Sequence, residues 1–333
     1  MTRRGTGLVL LAVAALLAAG AVFTVGRLAG DDTALPANEH REITFTAAGA
    51  SYYSPVLLKE VTAVVGVTDK IEATDPGAGS GSLAAWNVTE TVTDLTRHQE
   101  LEPQSQTIVF DRRTAQLVDC CNSNVNGNGL VTETGIAGYA FPVGTARQGY
   151  DVFDPVLGKP EPAVFSGTAV VGGVPVYLFT ENIGSAPAGS SPLAPGRQVR
   201  YLLHRVYQVD PDTGLVLTMS EDENRYVAPA HPGQPSTPLF DASLRMTPAS
   251  TAGLVRQDQA VRSRLAQLSD LRLAGLGAAG TLTVAAGWLL ISAARRRRGG
   301  QHRKAPAPLV TGGPPGPDGG RPRYAGWFTP GKR

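Results

Sequence analysis

Two uncharged apolar stretches do most to limit what this chain can become. The first is residues 5–25 (GTGLVLLAVAALLAAGAVFTV). As a helix rising 1.5 Å per residue it is long enough for the roughly 30 Å hydrocarbon layer of a bilayer. Arg3 and Arg4 precede it, so the positive-inside rule predicts a cytoplasmic N-terminus over residues 1–4. A cleaved signal peptide is the competing reading. Its apolar region is normally shorter, and no clear A-x-A site follows here. The second stretch, residues 273–294 (LAGLGAAGTLTVAAGWLLISAA), ends directly on Arg295, Arg296, Arg297 and Arg298. That is a stop-transfer pattern, with Trp288 toward its basic end. Arg3, Arg4, Trp288 and the four arginines are therefore candidate membrane-interface residues. The prediction is a two-pass plasma-membrane protein, both termini cytoplasmic, its central domain outside.

The charge distribution points the same way. Residues 295–333 hold ten Lys and Arg against one acid, Asp318, and Arg3, Arg4 and Arg27 lie near the other end. The whole chain carries only +2, so the region between the ends is net acidic. An acidic body is a poor nucleic-acid binder, and no nucleic-acid partner is expected. The Pro/Gly-rich basic segment 295–333 is expected to be a disordered cytoplasmic tail beside anionic headgroups.

Between the two stretches, residues 31–247 read as a β-rich extracytoplasmic domain. Ile43–Ala47, Val61–Val67 and Val88–Thr93 are rich in Val, Ile and Thr and bounded by turn formers. Gly172-Gly173 separates two strand-like runs, a strong hairpin signal. Residues 107–118 and 205–217 each read strand, turn, strand. Val209-Asp-Pro-Asp-Thr-Gly214 aligns with Phe110-Asp-Arg-Arg-Thr-Ala115, as ordinary turn chemistry would place them. Residues 77–82, 184–198 and 228–238 read as exposed loops. From Thr247 the period becomes helical, with Thr247 as cap, Pro248 at the first helical position and an amphipathic helix over 248–270. The expected fold is thus mainly β with some helix (α+β): a curved antiparallel sheet flanked by two transmembrane helices.

Chemistry-bearing patterns are sparse. Cys120 and Cys121 are the only cysteines. A vicinal disulfide, two free thiols, and a redox or metal role all stay open, although neighbouring Cα atoms sit closer than most disulfides prefer. The Asn run at 122, 124, 126 and 128 lacks the carboxylates of a calcium loop. The histidines His40, His98, His204, His231 and His302 form no ligand-spaced pair, and Glu221-Asp222-Glu223 reads as a solvated turn. No nucleophile elbow or zinc-protease motif is present. The chain is expected to be a non-enzyme without cofactor or metal.

One stretch carries a resemblance. Val109-Phe-Asp-Arg-Arg-Thr-Ala-Gln-Leu-Val-Asp-Cys-Cys121 resembles the signature of the actinobacterial porin PorA family, with Phe110, Asp111, Arg112, Arg113 and Thr114 as its core and the Cys pair behind it. Gly138-Tyr-Ala-Phe-Pro-Val143, Tyr150-Asp-Val-Phe-Asp-Pro-Val-Leu-Gly158, Val176-Tyr-Leu-Phe-Thr180 and Leu239-Phe-Asp-Ala-Ser-Leu244 follow in order. The resemblance implies an envelope protein with pore activity. The residues themselves favour an envelope domain that binds a lipid, glycolipid or other envelope partner, in contact with membrane lipids and open to homo-oligomerisation. A pore or transport component is the alternative.

Overall fold

The computed structural model describes residues 34–77, 81–190, 196–229, 231 and 233–301, together with 12, 15 and 16. Two compact units are distinguished, residues 16–279 and residues 1–15 with 280–333. The first unit holds every strand described. In chain order these are β1 (His40–Ser54), β2 (Lys59–Thr74), β3 (Leu83–Asp94), β4 (Gln99–Asp111), β5 (Asn124–Val125), β6 (Tyr150–Asp154), β7 (Lys159–Val171), β8 (Val174–Ser190), β9 (Gln198–Val209), β10 (Val216–Val227) and β11 (Thr237–Met246). A helix, α1 (Pro248–Gln301), follows them.

All eleven strands form one antiparallel sheet in the order β5-β4-β3-β2-β1-β11-β10-β9-β8-β7-β6. Strands are paired by hairpins except where β1 meets β11, which joins the two halves. The sheet curls into a half-barrel. Alternate side chains fill its inner face, as period-2 geometry requires. Val65, Val67 and Ile71 of β2, Trp86, Val88 and Val92 of β3, and Phe240, Ala242 and Leu244 of β11 are all buried there. The outward positions are polar, among them Glu42, Lys70, Asp241 and Arg245.

At one end the curl is completed by backbone alone. Val118 N donates to Val109 O (2.8 Å), Leu117 N to Gly135 O (2.7 Å), Ile136 N to Asp151 O (2.8 Å) and Phe153 N to Ile136 O (2.8 Å). The edge of β4 is thereby linked to β6 through two short relays, which satisfies edges that would otherwise offer free pairing groups. Gly135 makes this possible: its φ is +82°, and a Cβ there would run into Asp151 O. The chain then crosses the inside of the curl. Arg41 Nη2 donates to Tyr139 O (3.0 Å) and Phe141 N to Gly214 O (2.8 Å). Phe141 stacks on Phe179 at 4.9 Å and meets Tyr150 and Tyr207 edge-on. This end is closed and filled. The opposite end, where the turns after β1, β3 and β6 gather, is open.

The first turns of α1 dock on the closed end. Thr247 Oγ1 accepts from Ser250 N, and Ser250 Oγ accepts from Thr44 N of β1 (2.9 Å). Leu254 and Val255 are buried, and Asp258 accepts from Thr213 Oγ1 (2.6 Å).

Two expectations are corrected. The fold is not α+β with two flanking membrane helices; it is almost entirely sheet. Among the described residues, no helix is long and apolar enough to cross a membrane. Residues 273–294 do not form a separate element but continue α1. Ala, Gly, Thr and Ser dilute their Leu, Val, Ile and Trp, and the stretch runs unbroken into the arginines. The stretch 5–25 lies outside the described residues except for 12, 15 and 16, which are helical. The two-pass plasma-membrane arrangement needs two helical spans and is not supported, since no described helix supplies one. Residues 184–190, expected as loop, instead complete β8.

Candidate functional site

Five hairpin or corner turns share one construction. In each, a buried or half-buried polar side chain receives backbone amides from the turn, and the fifth residue adopts a left-handed backbone. Asp94 Oδ1 accepts from Thr96 N (2.8 Å) and Arg97 N (2.9 Å), and His98 has φ +55°. Asp111 Oδ1 accepts from Arg113 N (2.9 Å) and Thr114 N (3.0 Å), before Ala115 at φ +57°. Asp154 Oδ1 accepts from Leu157 N (2.8 Å), before Gly158 at φ +64°. Asp210 Oδ1 accepts from Asp212 N (2.9 Å), before Gly214 at φ +75°. Ser54 takes the same part with Leu57 N (3.1 Å), before Leu58 at φ +50°. The likeness of 110–115 to 209–214 in sequence is therefore a likeness of structure, and it extends to three further turns.

Asp94 and Asp111 are well compensated, whereas at Asp154 burial raises the carboxyl despite the Leu157 amide and the Tyr201 hydroxyl. Burial alone would raise the Asp94 pKa. The Arg97 guanidinium at 2.7 Å, the Tyr52 hydroxyl at 2.8 Å and the two amides outweigh it and hold the carboxyl at about 2. Burial would raise Asp111 as well, but the Thr114 and Arg113 amides and the Thr114 hydroxyl together outweigh it and hold the carboxyl low.

A second set of acids lies midway along the strands, facing inward. Asp69 of β2 continues the inward phase of Val65 and Val67, and Glu90 of β3 continues that of Trp86 and Val88. The two are direct partners in the β2–β3 register. Glu221 and Glu223 of β10 and Arg205 of β9 face the same space, with Arg225, Tyr139 and Tyr207. Together they line a cavity of about 90 Å³ whose other walls include Phe45, Val67, Phe153, Met219 and Leu244. Arg205 reaches Glu221 (2.5 Å) and Glu181 (3.2 Å). Arg225 reaches Glu223 (2.6 Å) and Glu102 (3.0 Å). Among the described residues no cation is within ion-pair distance of Asp69, though Arg205 and Arg41 act on it at longer range; it is 4% exposed, and its Oδ1 has no hydrogen-bond partner. Burial, reinforced by Glu221, pushes the Asp69 carboxyl up to about 7. Burial and then Asp69 push Glu90 up to about 8. Burial also raises Glu223 to about 8.

Above this belt, at the open end, lies a recess of about 540 Å³. Tyr52, Tyr53, Pro55, Leu101, Val156 and Leu239 supply apolar and aromatic surface, and Glu102, Gln104 and Asn126 supply polar groups. Val92, Pro155, Arg225 and Phe240 border both spaces, so the floor of the recess is the roof of the cavity.

The residues singled out from sequence lie elsewhere. Phe110 packs against Trp86 in the core at 4.5 Å, and Asp111 holds its own turn. Arg112 Nε donates to Leu35 O (2.7 Å), tying in the segment before β1, while Arg113 and Thr114 are exposed or partly so. The signature turn is a fastening of the closed end. The sulfurs of Cys120 and Cys121 stand together as a vicinal pair, Cα atoms 3.8 Å apart, with Cys121 at φ +59°. They close no long loop. Trp288 is exposed on α1, and Arg295 to Arg298 extend the same helix, with no apolar span among the described residues for them to flank. Arg3 and Arg4 lie outside the described residues. Glu221-Asp222-Glu223 is not a turn but mid-strand: Glu221 and Glu223 point in, and Asp222 points out to Arg245 (2.9 Å). Sequence reading missed Asp69, Glu90, Arg205 and Arg225 altogether. The signal was strand phase, since each falls in step with buried apolar neighbours.

Comparison with known proteins adds the lineage. No curated protein matches the chain. A family model described as Porin PorA matches residues 6–289, most of its length, including every strand above. The chain belongs to the porin PorA family.

Proposed function

We propose that this porin-family envelope protein is a ligand-binding module and not a catalyst, its curled sheet holding an amphipathic envelope molecule such as a lipid or glycolipid. The observation that carries the reading is the 540 Å³ recess at the open end, walled by both apolar and polar side chains. That size and mixture suit a small-molecule site. A single chain acting as a pore is disfavoured by two features. The inside of the curl is occupied by the 136–141 crossing and its aromatic cluster. The outward positions of β1, β2 and β11 carry charges where a lipid-facing barrel needs an apolar band.

Native mass spectrometry of the purified full chain tests this. An adduct of lipid mass is expected, and Leu101→Trp, which fills the recess, should remove it. A chain that never carries a ligand, yet gives reproducible conductance steps in planar bilayers, would overturn the reading in favour of a pore.

A further inference from the structure

We infer that the inner cavity is a subsite for an organic cation, so that the ligand of the recess carries an ammonium or guanidinium group which sits between Asp69 and Glu90. This rests on the recess being a binding site and names the chemistry of what enters it.

Four carboxylates and two guanidinium groups line the cavity: Asp69, Glu90, Glu221 and Glu223 against Arg205 and Arg225. Both arginines are already engaged, by Glu221 and Glu223. Asp69 and Glu90 have no ion-pair partner of their own among the described residues: Arg205 and the buried Arg41 act on Asp69 only at longer range, and Arg41 also faces Glu39 and donates to Tyr139 O. The two carboxylates are directly opposite across a strand pair, where like charges destabilise the sheet. Asp69 is almost completely buried, and one of its oxygens accepts nothing. A buried acceptor without a donor costs about 1–3 kcal/mol, and more when charged. A sheet that needed only to fold would be served better by Thr or Val at both positions. A cationic donor supplies what the pair lacks.

The surroundings narrow the cation. A hard metal ion wants several oxygen ligands, and among the described residues no group of three or more His, Cys, Asp or Glu is arranged to hold one. The walls are instead aromatic and aliphatic: Phe45, Phe153, Tyr139, Tyr207, Met219 and Leu244. Aromatic faces attract alkylammonium groups, and apolar walls suit the methylenes behind the charge. At about 90 Å³ the space takes an ammonium and the start of its chain. The shared border at Val92, Pro155, Arg225 and Phe240 puts the rest of the molecule in the recess.

Calorimetric titration of the full chain with decylammonium, decanol and decanoate, each below its micelle concentration, tests the inference. Decylammonium should bind at least about tenfold tighter than decanol, a difference of about 1.4 kcal/mol, and decanoate weakest. In the double variant Asp69→Asn, Glu90→Gln, decylammonium should fall to the level of decanol, with decanol unchanged and a cooperative thermal transition showing the variant folded. Glu42→Gln with Glu60→Gln removes the same charge from exposed positions and should keep the preference. Equal binding of ammonium and alcohol by the native chain would overturn the cation subsite while leaving the recess standing. So would a preference that survives in the inner variant or disappears in the outer one. Failure of all three probes to bind would remove the recess as a site, and this inference with it.

Discussion

Two groups of buried carboxylates in this protein are alike in burial and differ in where their hydrogen-bond partners come from. Asp94, Asp154 and Asp210 at the hairpin corners have no measurable exposure, and Asp69 in mid-strand has almost none. Each corner acid is wrapped by backbone amides from its own turn. Asp69 faces a carboxylate across the ladder and lacks a donor on one oxygen. At the corners the local chain provides the partners as soon as it turns, because an Asx side chain mimics the backbone of the turn it starts. In mid-strand every amide is already spent on the ladder, so an inward acid depends on another strand or on something from outside. The corners are the means by which the sheet folds. The belt is where the fold tolerates an expense for another purpose.

The largest effect should come from breaking a corner. Asp210 accepts from Arg262 Nε (2.5 Å) and Nη2 (2.6 Å), besides its turn amide, and so joins the β9–β10 hairpin to α1. Burial would raise its pKa, but these donors hold it low. Asp210→Ala strands the turn amide and leaves Arg262 only Asp212 (3.0 Å) and Asp258 (3.5 Å), and should lower stability by about 2 kcal/mol in urea unfolding. A loss under about 1 kcal/mol would mean the corner acids are no better compensated than the belt, and the contrast would fail.

The belt should respond with the opposite sign. The double change Asp69→Asn, Glu90→Gln removes two facing charges and should stabilise the unliganded chain at pH 8 by about 1–2 kcal/mol. The pH dependence follows from the same contrast. Unfolded carboxyls titrate near pH 4, whereas Asp69 and Glu90 are raised to about 7 and about 8 in the folded chain. The folded state therefore holds more protons between these values, and stability must fall as pH rises from about 4 through 8. Asp94, held at about 2, works the other way: its contribution is complete above the unfolded value and is lost as pH drops from about 4 toward 2. Thermal unfolding from pH 5 to 8 should show a decline that the double variant makes shallower, the remainder coming from Glu223 at about 8 and Glu133 and Asp258 at about 7. A native chain with no slope over that range would show the belt to be compensated after all.

What could be read in advance follows the same division. Turn chemistry is local, so Asp111 and Asp210 announced their hairpins, and Gly172-Gly173 marked the β7–β8 connection. The apolar strands were recognisable by composition. The belt was not, because charge was judged by neighbours along the chain. Glu221 and Glu223 sit two apart with Asp222 between them, which looks like a polar cluster in a list and like alternation in a strand. Asp69 is in phase with Val65 and Val67, yet its lack of a partner depends on Glu90, which only the β2–β3 register brings opposite. The stretch 273–294 is uncharged and carries Leu, Val, Ile and Trp among its Ala and Gly, yet no helix of the described residues is long and apolar enough to span a membrane.

The smallest test concerns the one corner that departs from the pattern. After β1 the turn places Ser54 where the others have Asp and Leu58 where two others have Gly. Leu58 holds φ +50° and is 72% exposed, so its side chain gains almost nothing from packing. A left-handed non-glycine residue costs about 1–2 kcal/mol, and glycine gives back about 0.5–1 kcal/mol through the freedom it adds to the unfolded chain. Leu58→Gly should therefore stabilise the protein by about half a kcal/mol, measured as a small rise in the urea midpoint with unchanged slope. Val56 and Leu57 are exposed beside it at the mouth of the recess, where Tyr52, Tyr53 and Pro55 line the wall. If the substitution stabilises the fold but weakens decylammonium and decanol alike, this corner belongs with the belt as a place where folding yields to binding. If it stabilises and leaves both affinities untouched, the division between corner and belt holds without exception.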